Sequence, residues 1–493
     1  MSAGGVLFAA CEPEVAAGPD GRILAIGEGA RAAAGRGAEV VRLKGQALPG
    51  LIDSHIHLEG LADDHLTLDV GGTSSLDAAL KRVEAWAARL PPDDWVVGSG
   101  WYNDAWADGA LPTRRHLDVA AGGRPVYLVR KDGHSAWVSS KALELAGIGM
   151  ATDNPPGGVI DRDGRRRPTG ILRETAMHAI GDILPRAGDG EFDAAMAKAL
   201  AGLAELGITS VHSMDTARGF ASLQRLHSAG RLPIRISYNL PLADLHHAER
   251  LGVRSGWGDD WLRIWGVKAF LDGSLGSRTA EMLDGSGTAR LPQAELVDMV
   301  DRCVRAELNV CLHAIGDGAV RRALDALARP KAAWRYWRPR IEHAQCVNPK
   351  DVPRFARIGV IASMQPIHAV ADRELADRYW PKTAAHSYAW GALARAGAVL
   401  AFGSDAPVET ADPLQGIDAA TAWRKRAGWH PELAISRSKA IRAYTSGAAF
   451  AVGMEQRVGS LRLGKLCDIT VVDDDRVVAT VVGGKVSWRR MPR

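Results

Sequence analysis

The chain has 493 residues, 46% of them apolar, and a formal net charge of +4. This length exceeds that of one ordinary domain, and the apolar fraction is enough for a sizeable core. No apolar run is long enough to span a membrane, and no basic stripe with interleaved aromatic residues is present. The sequence therefore predicts neither a membrane partner nor a nucleic-acid partner.

The five cysteines are scattered along the chain, and none forms a C-x-x-C pair. We therefore expect reduced, mostly buried thiols, as in a cytosolic protein. The apolar residues 6–11 are not preceded by a basic segment, and Glu12 and Glu14 follow them closely. This pattern does not favour a signal peptide, so a cytoplasmic location is predicted.

Short strand patterns occur near both ends of the chain. They lie at residues 22–26 and 39–43 near the start and at residues 468–472 and 477–482 near the end. Turn residues separate them, as expected for neighbouring β-strands. We predict that residues 1–47 and 455–493 form one small β-sandwich built from both termini.

Helical and strand patterns alternate from about residue 190 onward. Together with a first strand in the N-terminal part, eight strands are predicted: residues 52–57, 208–212, 234–240, 262–271, 309–313, 340–343, 359–365 and 398–405. Strands that alternate with helices favour parallel βα units. We predict an α/β protein with a (β/α)₈ TIM barrel formed by residues 48–60 and 190–454.

Residues 61–189, between the first two barrel strands, are too many for a loop. They contain strand patterns of their own at 95–98 and 126–129. We predict an inserted α/β domain here that covers the active site. Several of the fifteen tryptophans lie in this segment, namely Trp95, Trp101, Trp106 and Trp137. Packing is their ordinary role, and an aromatic substrate wall is the alternative.

His55 and His57 follow the apolar run 47–52, which predicts one buried strand. Side chains two residues apart on a strand point to the same face, so the two imidazoles would point in the same direction. Two convergent imidazoles at a strand end can bind one divalent metal ion.

Later predicted strands also end in residues of metal-ligand type. His313, His343 and Asp405 end the fifth, sixth and eighth strands, and Lys268 lies near the end of the fourth. Each alone has a structural explanation: a buried core histidine, a capping aspartate or a lysine in an ion pair. Active sites of such barrels lie at the carboxyl ends of the strands. Taken together, these residues predict a metal site at that face.

Seven motifs run through the chain and support a resemblance to a known family. They are residues 49–57 (PGLIDSHIH), 132–137 (DGHSAW), 169–174 (TGILRE), 267–280 (VKAFLDGSLGSRTA), 313–317 (HAIGD), 341–344 (IEHA) and 403–407 (GSDAP). With them the sequence resembles the amidohydrolase superfamily of metal-dependent hydrolases. Within it, the chain is similar to the amidohydrolase-3 or YtcJ-like branch, which includes N-substituted formamide deformylases. The resemblance covers essentially the whole chain.

The resemblance implies a binuclear centre of two divalent metal ions, with zinc as the expected metal and iron, manganese or nickel as metals that also fit. His55 and His57 would bind the first ion together with Asp405. His313 and His343 would bind the second. Lys268 would bridge the two ions as an Nζ-carbamate formed with CO2, because an ammonium group would repel both cations.

The same resemblance implies a mechanism. A water between the two metals would act as the nucleophile, and one metal would polarise the substrate carbonyl. Asp405 would act as general acid and base, accepting the proton of the water and delivering it to the leaving amine. We therefore expect a small-molecule substrate of amide type, such as a linear amide, an N-substituted formamide or a carbamate, hydrolysed at a C–N bond.

Four further residues are candidates for the substrate site: His134, Glu174, Asp272 and His212. For the first three, a binding role and a structural role both stay open. His212 ends the second barrel strand, where relatives often have an aspartate directly afterwards. Here Ser213 follows instead, and Asp215 comes later, which leaves the role of His212 open.

Two alternatives to this function stay open at the level of the sequence. One is a cyclic-amide or deaminating hydrolase with a single metal ion. The other is a non-catalytic metal-binding or regulatory protein on the same scaffold. A homodimer is the expected oligomer, because two-fold dimers are the commonest oligomers.

Overall fold

The computed structural model describes residues 5–106, 111–131, 133–329 and 336–491. The chain divides into two compact units. One unit consists of Met1–Leu61 and Met196–Arg493, and the other of Ala62–Ala195. The first unit contains the barrel and a sheet built from both termini, and the second unit contains a separate α/β sheet.

Eight parallel strands form the barrel, and we call them barrel strands 1 to 8. In chain order they are Leu51–Ile56, Ile208–Ser213, Arg235–Pro241, Leu262–Phe270, Asn309–Ala314, Arg340–His343, Ile361–Met364 and Leu400–Phe402. Each strand pairs in parallel with the next. The barrel is nearly closed, and the predicted (β/α)₈ fold is confirmed.

Helices connect the barrel strands, and four more follow the last strand, within residues 403–491. They are Leu58–Leu66, Asp189–Glu205, Ala217–Ser228, Leu245–Leu251, Gln293–Arg305, Asp317–Leu327, Val352–Ile358, His368–Tyr379, Trp390–Arg395, Pro413–Asp418, Arg424–Ala427, Arg437–Ala443 and Ser446–Ala451. There are also the 3₁₀ turns Leu242–Asp244, Ala384–His386 and Pro431–Leu433 and the π-helical segment Ala419–Trp423. The helix Gln293–Arg305 buries Leu296, Met299, Val300 and Cys303, a spacing that gives one apolar face against the barrel.

Strands from both termini combine in one seven-stranded sheet, as predicted. In sheet order they are Lys485–Arg489, Arg476–Val482, Ile469–Asp473, Glu39–Pro49, Val6–Glu12, Val15–Ala17 and Ile23–Ile26. The C-terminal strand Ile469–Asp473 pairs with the N-terminal strand Glu39–Pro49. Hydrogen bonds link all seven strands in one continuous sheet. The turn Gly27–Gly29 and the helix Ala30–Ala34 lie beside it.

The apolar run 47–52, predicted as one strand, is divided at Gly50. Residues before Gly50 belong to the terminal sheet, and Leu51 begins barrel strand 1. A β-carbon at Gly50 would lie 2.2 Å from Oγ1 of Thr209. Only glycine fits this close approach without a shift of Thr209, so Gly50 lets the chain pass from the terminal sheet into the barrel.

The second unit has a six-stranded mixed sheet. In sheet order its strands are Gly158–Arg162, Pro168–Glu174, Ser135–Val138, Val126–Arg130, Val96–Trp101 and Leu68–Asp69. Its helices and turns are Leu76–Ala87, Asn103–Ala105, Arg114–Ala120, Ser140–Leu145, Thr175–Met177 and His178–Gly181. Trp101, Trp106 and Trp137 are buried together in its core. These three tryptophans therefore serve packing and do not form a substrate wall.

All five cysteines are free and buried. Within the described part of the chain, no helix combines the length and the apolar character needed to cross a bilayer.

Candidate metal centre

The carboxylate of Asp405 lies among histidines from different barrel strands. Its Oδ1 is 3.2 Å from Nε2 of His57 and 3.4 Å from Nε2 of His55, and its Oδ2 is 3.9 Å from Nδ1 of His343. One ligand atom each of His55, His343 and Asp405 lies within 4.8 Å of the other two. Imidazoles and a carboxylate at this spacing are a donor set typical of divalent metal sites.

Left-handed backbone conformations occur at two of these strand ends. His343 has φ 71° and Ala344 φ 42°, and Asp405 has φ 62°. Positive φ is uncommon outside glycine and tends to occur where function requires it. The turn at His343 ends barrel strand 6, and the side chains of both Glu342 and His343 contact residues of the metal centre, although they are consecutive.

Lys268, on barrel strand 4, is buried beside the same cluster. Its Nζ lies 3.2 Å from Nε2 of His55 and 4.8 Å from the centre of the Phe270 ring. Burial lowers the pKa of the Lys268 ammonium, although the carboxylates of Glu342 and Asp405 act against this. A buried amine with a lowered pKa is more readily neutral, and therefore more nucleophilic, than an exposed lysine.

His313 lies next to the cluster, with its ring centre 4.4 Å from that of His343. Its Nε2, however, is 3.0 Å from the carbonyl oxygen of Gly273 and 3.6 Å from Oδ1 of Asp272. Asp272 itself accepts hydrogen bonds from the backbone amides of Glu281, Ile315 and Gly316. Asp272 thus ties together the loops after barrel strands 4 and 5, and a contact with substrate stays a prediction for it.

The other predicted substrate residues lie in two places. His212 is fully buried in the barrel, where its Nδ1 accepts a hydrogen bond of 2.8 Å from Nη1 of Arg340. His134 and Glu174 belong to the second unit, where Nδ1 of His134 and the Glu174 carboxylate are 3.2 Å apart. Both of these side chains are more than half exposed. A substrate role of the three residues stays a prediction, and Asp132 of the DGHSAW motif lies outside the described residues.

Four residues that the sequence analysis did not single out complete the site. Gln365 Oε1 accepts a hydrogen bond from Nδ1 of His343 (2.9 Å), and Glu342 Oε2 accepts one from Nδ1 of His55 (2.7 Å). Gln345 Nε2 lies 3.2 Å from Nδ1 of His368, whose Nε2 is 3.7 Å from Oδ2 of Asp405. Gln365 and His368 follow barrel strand 7, so the strand-end argument that predicted the other ligands also applies to them.

The protonation states of the histidines and of Asp405 suit the binding of a metal ion. Burial, together with the nearby Lys268, lowers the pKa of His55 to about 4 and that of His313 to about 3. Burial alone would raise the pKa of Asp405, but His55 and a hydrogen bond from His57 hold it well below its usual value. Neutral imidazoles and an ionised carboxylate are the forms that bind divalent cations.

The hydrogen bonds also orient two of the imidazoles. Because Nδ1 of His55 donates to Glu342 and Nδ1 of His343 donates to Gln365, the lone pair of each ring lies on Nε2. That of His55 faces Nζ of Lys268 at 3.2 Å. Such partners on the far nitrogen are the usual support of a metal-binding histidine. The residues present therefore fit a metal ion.

Known proteins resemble this chain over most of its length. The family model described as "Amidohydrolase family" matches residues 39–487. The putative amidohydrolase YtcJ of Bacillus subtilis is 29% identical, with 92% of this chain and 91% of that protein covered. N-substituted formamide deformylase of Arthrobacter pascens is 28% identical, with coverages of 93% and 89%.

A solved structure extends the comparison to three dimensions. An uncharacterised metal-dependent hydrolase of Pyrococcus furiosus is 31% identical and superposes with a TM-score of 0.78, covering 93% of this chain and 95% of that one. The resemblance drawn from the motifs is confirmed by these comparisons. With a buried histidine and aspartate cluster at the carboxyl ends of its barrel strands, the chain belongs to the amidohydrolase family of metal-dependent hydrolases.

Proposed function

We propose that the protein hydrolyses a C–N bond of a linear amide, N-substituted formamide or carbamate. The main support is the carboxylate of Asp405, which faces four histidines, His55, His57, His343 and His368, at distances of 3.2 to 3.9 Å. The relative named N-substituted formamide deformylase supports this class of substrate. The substrate would be a small molecule, and a homodimer stays a prediction.

Two divalent ions, with zinc as the expected metal, would be held by residues from five barrel strands. His55, His57 and Asp405 would bind the first ion, and His313 and His343 the second. Lys268 would help to hold them as a carbamate: its neutral Nζ would attack the carbon of CO2, so that an N–C bond forms, one C=O electron pair moves onto oxygen, and an amine proton leaves to water. The lowered pKa of Lys268 favours the neutral amine that this reaction requires.

When bound, the metals would lower the pKa of a water and polarise the substrate carbonyl. Asp405 would take up the proton from that water on a carboxylate oxygen and pass it to the nitrogen of the leaving amine. The lowered pKa of Asp405 keeps its carboxylate ionised before each turnover.

His368 would donate a hydrogen bond to the substrate carbonyl oxygen. With Nδ1 accepting from Gln345, the proton of the neutral ring lies on Nε2, and this buried atom makes no hydrogen bond within the described structure. His368 also begins the helix His368–Tyr379, and the N-terminus of a helix stabilises nearby negative charge. A donor so placed suits the charge that develops on a carbonyl oxygen during hydrolysis.

Exposed apolar side chains close to site residues indicate the kind of substituent that the substrate bears. Phe270 is two residues after Lys268, and Val408 three residues after Asp405; they are 42% and 66% exposed. Phe270 also contacts the ring of His313, with centres 5.0 Å apart. Exposed apolar groups beside a polar site suit a substrate with an apolar or aromatic N-substituent.

One observation favours a second candidate, a cyclic-amide or deaminating hydrolase with a single metal. Among the described residues, only His55, His343 and Asp405 form a group at mutual ligand distance. Nε2 of His313 is directed instead to the carbonyl oxygen of Gly273. A single ion bound by the first group would leave His313 as part of the pocket wall.

Elemental mass spectrometry of the purified protein, combined with an activity screen, tests both candidates. About two metal equivalents per chain and hydrolysis of linear N-substituted amides are the expected result. About one equivalent, with turnover of cyclic amides or release of ammonia, would select the second candidate. No metal after incubation with zinc and bicarbonate, and no hydrolysis, would leave a non-catalytic protein on this scaffold and overturn the proposal.

A further inference from the structure

A fully buried ion pair lies beside the metal centre. Arg340 and Glu342 are two residues apart on barrel strand 6, and both are 0% exposed. Nε of Arg340 donates to Oε1 of Glu342 at 2.8 Å, and Nη2 donates to Oε2 at 3.0 Å. The same Oε2 accepts the hydrogen bond of 2.7 Å from Nδ1 of His55. An arginine and a ligand histidine thus share one carboxylate.

Arg340 is fixed by three further barrel strands. It donates to the carbonyl oxygen of Ser54 on strand 1 (2.5 Å), to Nδ1 of His212 on strand 2 (2.8 Å) and to Oγ of Ser363 on strand 7 (3.1 Å). Because a guanidinium group has donors only, each of these partners must be an acceptor. This requires an unprotonated Nδ1 on His212.

Stability alone does not explain a buried ion pair. Removing two charges from water is costly, and apolar replacements of such pairs are often neutral or stabilising. The third partner of the carboxylate is the feature that an apolar pair could not reproduce. His55 needs an acceptor at Nδ1 if its Nε2 lone pair is to face Lys268 and Asp405, which lie 3.2 Å and 3.4 Å away.

We propose that Glu342 is a positioning residue of the metal centre and that Arg340 holds it in place. The carboxylate sets the tautomer and the ring orientation of His55, and the two hydrogen bonds from Arg340 hold the carboxylate in this position. The proposal rests on the metal centre described under the proposed function. Partners of this kind change metal affinity roughly 10- to 100-fold when they are replaced.

Glu342→Gln is the first test. The amide can offer one oxygen to His55 and Nη2 of Arg340, but its NH2 group then faces the Nε–H of Arg340, a donor against a donor. The alternative orientation turns the NH2 group towards His55. In either orientation, the hydrogen bond to His55 or that to Nε of Arg340 is lost, while the volume of the side chain stays the same. Glu342→Asp is the second test, because it keeps the charge near Arg340 but withdraws the oxygens from His55.

Asp468→Asn is the matched control. Asp468 forms another buried ion pair, with Arg235 (Nε to Oδ2 2.7 Å, Nη2 to Oδ1 2.9 Å), and also accepts from the backbone amide of Gly483. Its bonds do not involve the metal-centre residues. It therefore reports the cost of damaging a buried arginine–carboxylate pair in the same unit without touching His55.

The measurements are Co2+ affinity by competition with a chelator, the visible absorption spectrum of the Co2+ protein, and the urea midpoint of each metal-free variant. We expect both Glu342 variants to lose Co2+ affinity roughly 10- to 100-fold and to change the absorption bands, whereas Asp468→Asn lowers only the urea midpoint. Wild-type affinity and bands in a folded Glu342 variant, or an equal loss in Asp468→Asn, would refute the positioning role alone. A wild-type protein that binds neither Co2+ nor Zn2+ would refute the proposed function and this role together.

Discussion

The backbone amide of Asp405 donates a hydrogen bond of 2.7 Å to the carbonyl oxygen of His55. In return, the amide of His57 donates to the carbonyl oxygen of Ala406 at 2.9 Å. These two bonds join the segments that follow barrel strands 8 and 1. The carboxylate of Asp405 therefore meets the imidazoles of His55 and His57 at the place where the last and first barrel strands approach each other.

Asp405→Asn should separate metal binding from proton transfer. Asparagine keeps one oxygen for the metal but cannot accept the proton of the attacking water. We expect metal content near that of the wild type and a kcat lower by roughly 10²- to 10⁴-fold, measured on the best amide of the screen. Asp351→Asn, which removes a buried acid bonded to Arg321 and Arg354, should leave kcat unchanged. A wild-type-like kcat in Asp405→Asn would show that another group moves the proton.

Lys268→Ala should lower the metal content of the protein rather than its stability. Without the proposed carbamate, the proposed second ion would lose a ligand. We expect fewer metal equivalents per chain by elemental mass spectrometry, with no gain on adding bicarbonate, whereas metal-depleted wild type regains metal faster when bicarbonate is present. Lys141→Ala, at a surface lysine that pairs with Glu144, is the control. Two full equivalents in Lys268→Ala would argue against the bridge.

The barrel strands could be predicted because each is a local apolar pattern with turn residues on both sides. Strand 4 was predicted at residues 262–271 and lies at Leu262–Phe270. The division at Gly50 could not be predicted, because apolar residues stand on both sides of it. Its cause is the contact of Gly50 with Thr209, and residues so far apart in the chain give no local signal.

The residues of the candidate metal centre likewise divide into those that the sequence could predict and those that it could not. Histidines and an aspartate at strand ends could be named from the sequence because the fold brings all strand ends to one face. Glu342 could not, because strand alternation would place it on the face opposite to His343. The left-handed backbone at His343 and Ala344 changes this relationship. The direction of His313 Nε2 towards Gly273 likewise depends on a loop whose path no pattern predicts.

His368→Phe should lower kcat and leave the metal content unchanged. The phenyl ring keeps the packing against His343 but removes the Nε2–H donor. We expect a kcat lower by roughly 10²-fold with unchanged metal content. Gln345→Leu, which removes the donor to Nδ1, should give a smaller loss because the ring can then adopt either tautomer. His227→Phe, at a histidine bonded to Asp259, serves as control, and full activity of His368→Phe would contradict the role.

Acid should destabilise the metal-free protein partly through its buried histidines. Burial lowers the pKa of His313 from 6.5 to about 3. As the pH falls, His313 of the unfolded chain is therefore protonated at a higher pH than His313 of the folded chain. The free energy of unfolding that His313 contributes is present above pH 6.5 and is lost as the pH falls towards 3. Asp53 acts in the opposite direction, because burial raises its pKa to about 7 and its protonated form suits the folded state.

A difference measurement separates these two contributions. Urea unfolding of metal-free wild type and His313→Asn should be compared at several pH values between ~7 and ~5. The wild type should lose more free energy of unfolding across this range than the variant, since Asp53 is common to both. Equal losses would show that His313 does not titrate between the folded and unfolded states in the expected way.

Phe270→Ala should change the choice of substrate more than the rate of catalysis. The exposed ring beside His313 and Lys268 offers an apolar surface to an N-substituent, and an N-benzyl group would gain from it where an N-methyl group would not. We expect KM for the N-benzyl amide to rise roughly tenfold while KM for the N-methyl amide stays constant. Leu251→Ala, at an exposed residue that ends the helix Leu245–Leu251, should change neither value. If KM rose equally for both substrates, Phe270 would support the ring of His313 rather than the substrate. The apolar surface that contacts the N-substituent would then lie elsewhere in the protein.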